Sequence, residues 1–370
     1  MNDYRDSVRR FMGTEVLPHL DQWERDGELP RELHKKAGAI GLLGVGFPES
    51  VGGGGGSLLD AIDVVEEMHY AGGSGGLVAS LLTCGIALPH IVAAGNQEQI
   101  ERWVRPTLDG ELIGALAITE PGGGSDVASI RTTARREGDV FVVNGAKTFI
   151  TSGCRADFVT TAVRTDGPGA HGISLLAIDL GFEVSRKLEK MGWLCSDTAE
   201  LSFTDVRVPV ENLVGAQGSG FVQLAVNFVA ERLTLAVQAY AGAQRALDLT
   251  VEWCRQRETF GRPLISRQTV QHTLTEMARR ISVARVYVRE VARRADAGED
   301  VIAETCFAKN TAVEAGQWVC DQALQLHGGL GYMREAEVER QYRDQKILAI
   351  GGGTTEILTG LASKRLGFTA

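Results

Sequence analysis

Positive charge is in short supply. The 370 residues carry 38 Lys and Arg against 47 Asp and Glu, a formal net charge of -9, and no basic cluster is dense enough to neutralise a phosphate backbone. Nucleic acid is therefore not an expected partner. Paired cysteine is missing as well: Cys84, Cys154, Cys195, Cys254, Cys306 and Cys320 lie far apart, with no Cys-x-x-Cys and no His at zinc-site spacing. They read as reduced structural thiols of a cytosolic protein. The stretch from Met1 to Asp6 is charged and polar and lacks the apolar region of a secretory signal, so a cytoplasmic location is expected. Only the uncharged stretch Gly73 to Gly95 raises the question of a membrane span. It is rich in Gly and Ala and contains Pro89 and His90, which favours a buried core helix.

What is present is an ordinary globular composition, 44% apolar and 23% charged, at a length that divides into two or three domains. Over residues 1–112 apolar residues recur at helical spacing, as in Leu33, Ala37 and Ile40 and in Leu58, Ile62, Val65 and Met68. The Gly52 to Gly56 run reads as a loop between such helices, with a flexible linker as the alternative. Over 113–217 the period changes to alternation. Val140 to Val143, then Asn144-Gly145, then Lys147 to Thr151 carry a hairpin signal. Phe158 to Val163, Ile173 to Ile178 and Leu201 to Val208 add further strands. Helical patterning returns over 218–370, so the expected class is α+β: an N-terminal helical domain, a middle β-barrel-like domain and a C-terminal four-helix bundle.

Four segments carry a resemblance. Ala117-Ile118-Thr119-Glu120-Pro121-Gly122-Gly123-Gly124-Ser125-Asp126-Val127 exposes backbone amides at a Gly-rich turn. Phe149-Ile150-Thr151-Ser152-Gly153 follows. Arg257-Glu258-Thr259-Phe260-Gly261-Arg262-Pro263-Leu264 with Gln268, and Gln325-Leu326-His327-Gly328-Gly329-Leu330-Gly331-Tyr332, complete the set. In this order and spacing they resemble the acyl-CoA dehydrogenase family over essentially the whole chain. That resemblance implies bound FAD, with Thr119 on the flavin pyrimidine edge, Phe149 packed on the ring where the family has Trp, and Thr151 near N5. It further implies that Arg257, Thr259, Phe260 and Gln268, with Gln325, Gly328 and Gly329, hold the cofactor across a subunit interface, and assigns Thr354 and Glu356 to the same site. Arg257 offers a fork suited to a pyrophosphate. Ser125 and Arg232 are implied near the acyl-CoA, a buried ion pair being the alternative for Arg232. A homo-oligomer, usually a tetramer, and an electron-transfer flavoprotein as acceptor are the implied partners. His327, without a second ligand, reads as a packed structural residue.

Many members of that family read Ile-Tyr-Glu-Gly-Thr at their C-terminal signature, where the Glu removes the substrate's α-proton. Here Ile350-Gly351-Gly352-Gly353-Thr354 puts Gly352 in that place. The replacement carboxylate is expected from Glu231. Its helix, Phe221 to Leu235, is apolar on nearly every face and reads as buried. Leu224, Phe228, Glu231 and Leu235 share one stripe, and no cation stands three or four residues away to pair with the carboxylate. Burial without a partner raises a carboxylate toward the range of a general base. A distant Arg partner is the bland alternative. Within the resemblance, a Glu on this helix and a small residue at 352 occur together in long-chain and isovaleryl-type members. Gly352 keeps its amide, which in the family holds the thioester oxygen. The expected reaction is α,β-dehydrogenation of a saturated acyl-CoA. Alternatives are a flavin monooxygenase or oxidase on the same fold, and a non-catalytic flavin-binding scaffold.

Overall fold

The computed structural model describes residues 4–368; the first three residues of the polar N-terminal stretch lie outside them. Helices Arg31–Ala39 and Leu58–Tyr70 form where the apolar spacing predicts, burying Leu33 and Ala37 on one and Ile62, Val65 and Met68 on the other. Ile40 departs from that pattern: it caps its helix and lies exposed. Ser57 starts the second helix with a reciprocal capping box to Asp60. The Gly73 to Gly95 stretch becomes short helices, Gly75–Leu81, Cys84–Ala87 and Pro89–Ala94, bent by 55° at the break after Leu81. Leu77, Val78, Leu81, Leu88 and Ile91 are buried in a core that also takes in the start of the bundle.

Eight strands form one sheet: β1 (Gly114–Ala117), β2 (Thr133–Glu137), β3 (Val140–Thr151), β4 (Phe158–Arg164), β5 (Ile173–Ile178), β6 (Glu183–Lys187), β7 (Thr198–Pro209) and β8 (Leu213–Val214). Their order is β6-β7-β3-β2-β4-β5-β8, with β1 parallel to β4. Phe141, Val143, Val159, Leu176, Leu201 and Phe203 give this domain its own core. The hairpin expected at Asn144-Gly145 is not there. The chain turns instead at Gly138, pairing Glu137 with Val140, and Asn144-Gly145 is a bulge within a continuous β3. Two contacts explain the difference. The Asn144 side chain exchanges hydrogen bonds with Asp205 of β7. A Cβ at Gly145 would lie 2.5 Å from the Thr132 hydroxyl, so the glycine serves a close approach rather than a turn.

Three long helices, Gly220–Gln256, Gln268–Asp296 and Ile302–His327, pack together, and the shorter Glu337–Leu348 and Thr355–Arg365 lie against them. Among the described residues Gly220–Gln256 is the one unbroken helix long and apolar enough to cross a membrane. Here its stretch from Arg232 to Ala243 is buried almost without interruption in the bundle. Glu66 of Leu58–Tyr70 joins the first domain to this bundle, accepting from Tyr240 at 2.7 Å and from Arg285 at 2.9 Å.

Candidate active site

Glu231 stands where Gly220–Gln256 passes from an open to an enclosed course. The expectation of a helix buried on nearly every face holds only beyond it: Val222, Ala225, Val226 and Ala230 are exposed, because no element of this chain covers them. Leu224 and Leu235 are buried and Phe228 half-buried on the Glu231 stripe. Glu231 itself is half-buried, and among the described residues its carboxylate takes no hydrogen bond or ion pair. Desolvation pushes its carboxyl above the ordinary glutamate value; the positive charges of Arg232 and Lys309 oppose that rise. Lys309 is distant in sequence and was not part of the expected site. Its one sequence signal is a lone cation following Cys306-Phe307-Ala308 on an apolar helix.

After helix Glu337–Leu348 the chain runs through Gly351-Gly352-Gly353 to Thr354, whose hydroxyl caps the last helix by accepting from the Ile357 amide. Gly352 has φ +65° and Gly353 φ +101°, conformations that glycine alone adopts freely. A Cβ built on Gly352 would lie 3.4 Å from Glu231 Oε1 and only 2.6 Å from Leu235 Cδ1. Positions 231 and 352 therefore meet at one point, and Leu235 fills the room a side chain at 352 would need. All three glycine carbonyls are held from inside. Lys309 Nζ donates to Gly351 O at 2.5 Å and Gly353 O at 2.7 Å, and Arg232 Nε donates to Gly352 O at 3.0 Å. Both cations are enclosed, Lys309 being 1% and Arg232 7% exposed. The Gly352 and Gly353 amides have no acceptor among the described residues. Arg232 is thus buried, but without the ion pair named as its alternative: it bonds a carbonyl and lies 5.0 Å from the Phe228 ring.

On the β domain, Thr119 follows β1 and accepts the Thr148 amide at its carbonyl, while Thr151 ends β3. Neither hydroxyl has a partner among the described residues. Between them the register of β3 slips, and Phe149 sits in that bulge with φ +61° and 68% of its surface exposed. An aromatic held in the left-handed region with its ring uncovered is strain without packing to explain it. Glu120 anchors the Gly-rich loop from below, accepting from Lys147 Nζ at 2.9 Å and from the Arg131 and Thr132 amides. The motif's acid is thus structural, a role its sequence position did not reveal. Ser125 is exposed on the loop.

The other signature residues gather at the far end of the bundle. Arg257 leaves the long helix, lies 5.9 Å from the Trp253 ring and has no carboxylate partner among the described residues. Thr259 pairs with Arg262 in a two-stranded turn whose tip carries Phe260, 97% exposed. Gln268, Gln325, Gly328 and Gly329 are exposed at these turns and helix ends, whereas Glu356 is exposed in the first turn of Thr355–Arg365, beside the glycine loop. His327 is enclosed, stacked on Trp253 at 5.3 Å with Nδ1 2.8 Å from Ala323 O, as a structural histidine. Unpaired hydroxyls and an uncovered ring on one domain, and an unpaired guanidinium, an uncovered Phe and open glycine backbone on another, form a donor set that fits the two halves of a flavin dinucleotide.

Sequence profiles of three domains match the chain: acyl-CoA dehydrogenase N-terminal domain over 2–111, middle domain over 115–206 and C-terminal domain over 218–367. The long-chain specific acyl-CoA dehydrogenase of Rattus norvegicus mitochondria is 39% identical over 98% of this chain and 85% of its own length. A solved structure assigned as an acyl-CoA dehydrogenase from Mycobacterium smegmatis is 67% identical with a TM-score of 0.98, covering 99% of this chain and 97% of that one. Another from Mycobacterium abscessus is 61% identical with a TM-score of 0.97, covering 98% and 97%. Fold, domain order and relatives agree: the chain belongs to the acyl-CoA dehydrogenase family and is an oxidoreductase of that FAD-dependent class.

Proposed function

We propose that this protein removes the α-proton of a saturated acyl-CoA thioester through Glu231 and releases a trans-2-enoyl-CoA, with FAD supplying the acceptor for the β-hydride. The observation that carries the reading is the 3.4 Å between Glu231 Oε1 and the Cβ position of Gly352: a carboxylate entering from the long helix ends beside the place where a side chain at 352 would begin. The Glu231 carboxyl is unpaired and held above its ordinary value, which suits a general base near neutral pH. Once a proton is taken, negative charge develops on the thioester oxygen, and the unpaired Gly352 amide is the donor offered to it. The exposed apolar face at Val222 and Val226 continues toward the open end of the helix.

Thr119, Phe149 and Thr151 would hold the flavin ring, and Arg257, Thr259, Phe260, Gln268, Gln325, Gly328 and Gly329, with Thr354 and Glu356, the rest of FAD. The two sets stand on different domains and no hydrogen bond joins them among the described residues, which supports a site shared between copies, a tetramer in this reading. An electron-transfer flavoprotein is the proposed electron acceptor.

The deciding experiment is anaerobic mixing of the flavin-loaded protein with saturated acyl-CoAs of varied length and branching, following flavin absorbance. Bleaching by a subset is expected and reports chain preference at the same time. Flavin that dithionite reduces but no thioester bleaches would overturn the reading in favour of oxygen-using or non-catalytic chemistry.

A further inference from the structure

Lys309 spends its charge on two carbonyl groups rather than on a carboxylate. A buried ammonium is costly unless its hydrogen bonds are made, and burial pulls this one down to about 8. Its acceptors are Gly351 O and Gly353 O, with Arg232 on Gly352 O between them. A trans peptide points its C=O and its N–H in opposite directions. Holding Gly351 O toward Lys309 therefore turns the Gly352 N–H away from Lys309, and holding Gly352 O toward Arg232 turns the Gly353 N–H away from Arg232. Those two amides, like that of Thr354, have no acceptor among the described residues. Helix Thr355–Arg365 is bound to the Lys309 helix separately, through Asn310 Nδ2 donating to Thr355 O at 3.2 Å, so the helix does not need the lysine to be anchored.

We propose that Lys309 is a positioning residue for the dehydrogenation: it clamps the carbonyls on either side of Gly352 so that the Gly352 amide is aimed outward as the donor to the thioester oxygen. The inference rests on the thioester placement in the proposed function. The charged and titratable groups facing Lys309 are Glu231 and Arg232 from the long helix and Cys306 from its own helix. Since the ammonium also favours the ionised form of Glu231, charge and aim must be separated in the test.

A suitable probe is a 3-oxoacyl-CoA, whose α-proton is acidic and whose bound enolate gives long-wavelength absorbance against oxidised flavin without turnover. In the flavin-loaded wild type the pH midpoint for enolate formation should fall well below that of the free probe. Lys309→Met should lose about 10²-fold of this enolate stabilisation, the range for one such donor, while a saturated acyl-CoA binds within a few-fold of wild type. Lys309→Gln, neutral but still a donor to the carbonyls, should lie between them; it also serves as the readout if the Met variant does not fold. A wild-type midpoint in either variant, or equal weakening of enolate and saturated thioester, would overturn the role given to Lys309. Wild-type protein that leaves the probe un-ionised would instead overturn the thioester placement itself.

Discussion

The loop beside Glu231 has its three carbonyls held from within the chain by Lys309 and Arg232, whereas Phe149, Phe260 and Tyr332 stand in the open and Arg257 makes no ion pair among the described residues. The contacts within the chain account for the first region and not for the second. In the inner region burial and hydrogen bonding set the proton affinity of one carboxylate and the direction of two amides. In the outer region large apolar rings stay exposed and a forked cation has no carboxylate partner among the described residues, which is the mark of surfaces completed by something outside the chain. Inner residues should therefore affect chemistry and stability together, and outer residues ligand retention alone.

The sharpest test on the inner side is Glu231→Gln. Loss of the proposed base should lower the rate of flavin reduction by about 10²–10⁴-fold while flavin content holds; near-normal rates in stopped-flow would remove Glu231 from the mechanism. Next comes Gly352→Ala. Its methyl would meet Leu235 Cδ1 at 2.6 Å on a backbone with φ +65°, so destabilisation of about 2–4 kcal/mol is expected in denaturant unfolding. Combining it with Leu235→Ala should cost less than the sum of the two.

On the outer side, Arg257→Ala should weaken FAD binding by about 1.5–3 kcal/mol, the worth of a charge-assisted hydrogen bond, read by titrating flavin into the deflavinated protein. Its ligand-free melting should stay put, and a clear loss of stability there would erase the distinction between the regions. A gentler contrast is pH. Because Glu231 is raised in the folded state, the native protein binds more protons than the unfolded chain above the unfolded value near 4.5. Its contribution to stability thus falls as pH rises from that value through the folded one. Glu231→Gln should flatten that part of the melting-temperature profile, and Arg257→Ala should leave the slope unaltered. The smallest effect belongs to Phe260→Ser, within about 0.5 kcal/mol in unfolding of the isolated chain, since a ring 97% exposed has little packing to lose.

Much of the architecture was readable in period and punctuation. Helical spacing at Ile62, Val65 and Met68 became one buried helix face, and the short run Phe158 to Val163 became a strand buried on both sides. Asn144-Gly145 misled, since the same dipeptide serves a hairpin turn and a bulge, and the choice lay with Asp205 and Thr132 elsewhere in the sheet. Glu231 was found by an absence of local cations. The same local reading could not see Lys309, whose approach depends on how two long helices and a glycine loop meet.

What the sequence determined by itself was therefore local and pairwise: which segments are helical or extended, where the motifs stand in order, and that Gly352 and Glu231 complement one another in residue type. Only the tertiary structure decided that these two positions converge on one point, that Leu235 already occupies the intervening space, that Arg232 turns inward, and that Lys309 holds the loop. The reason is physical. Periodicity encodes which face of an element is apolar, but a carboxylate's proton affinity and an amide's direction are set by groups brought close through space, and those distances exist only once the helices have packed.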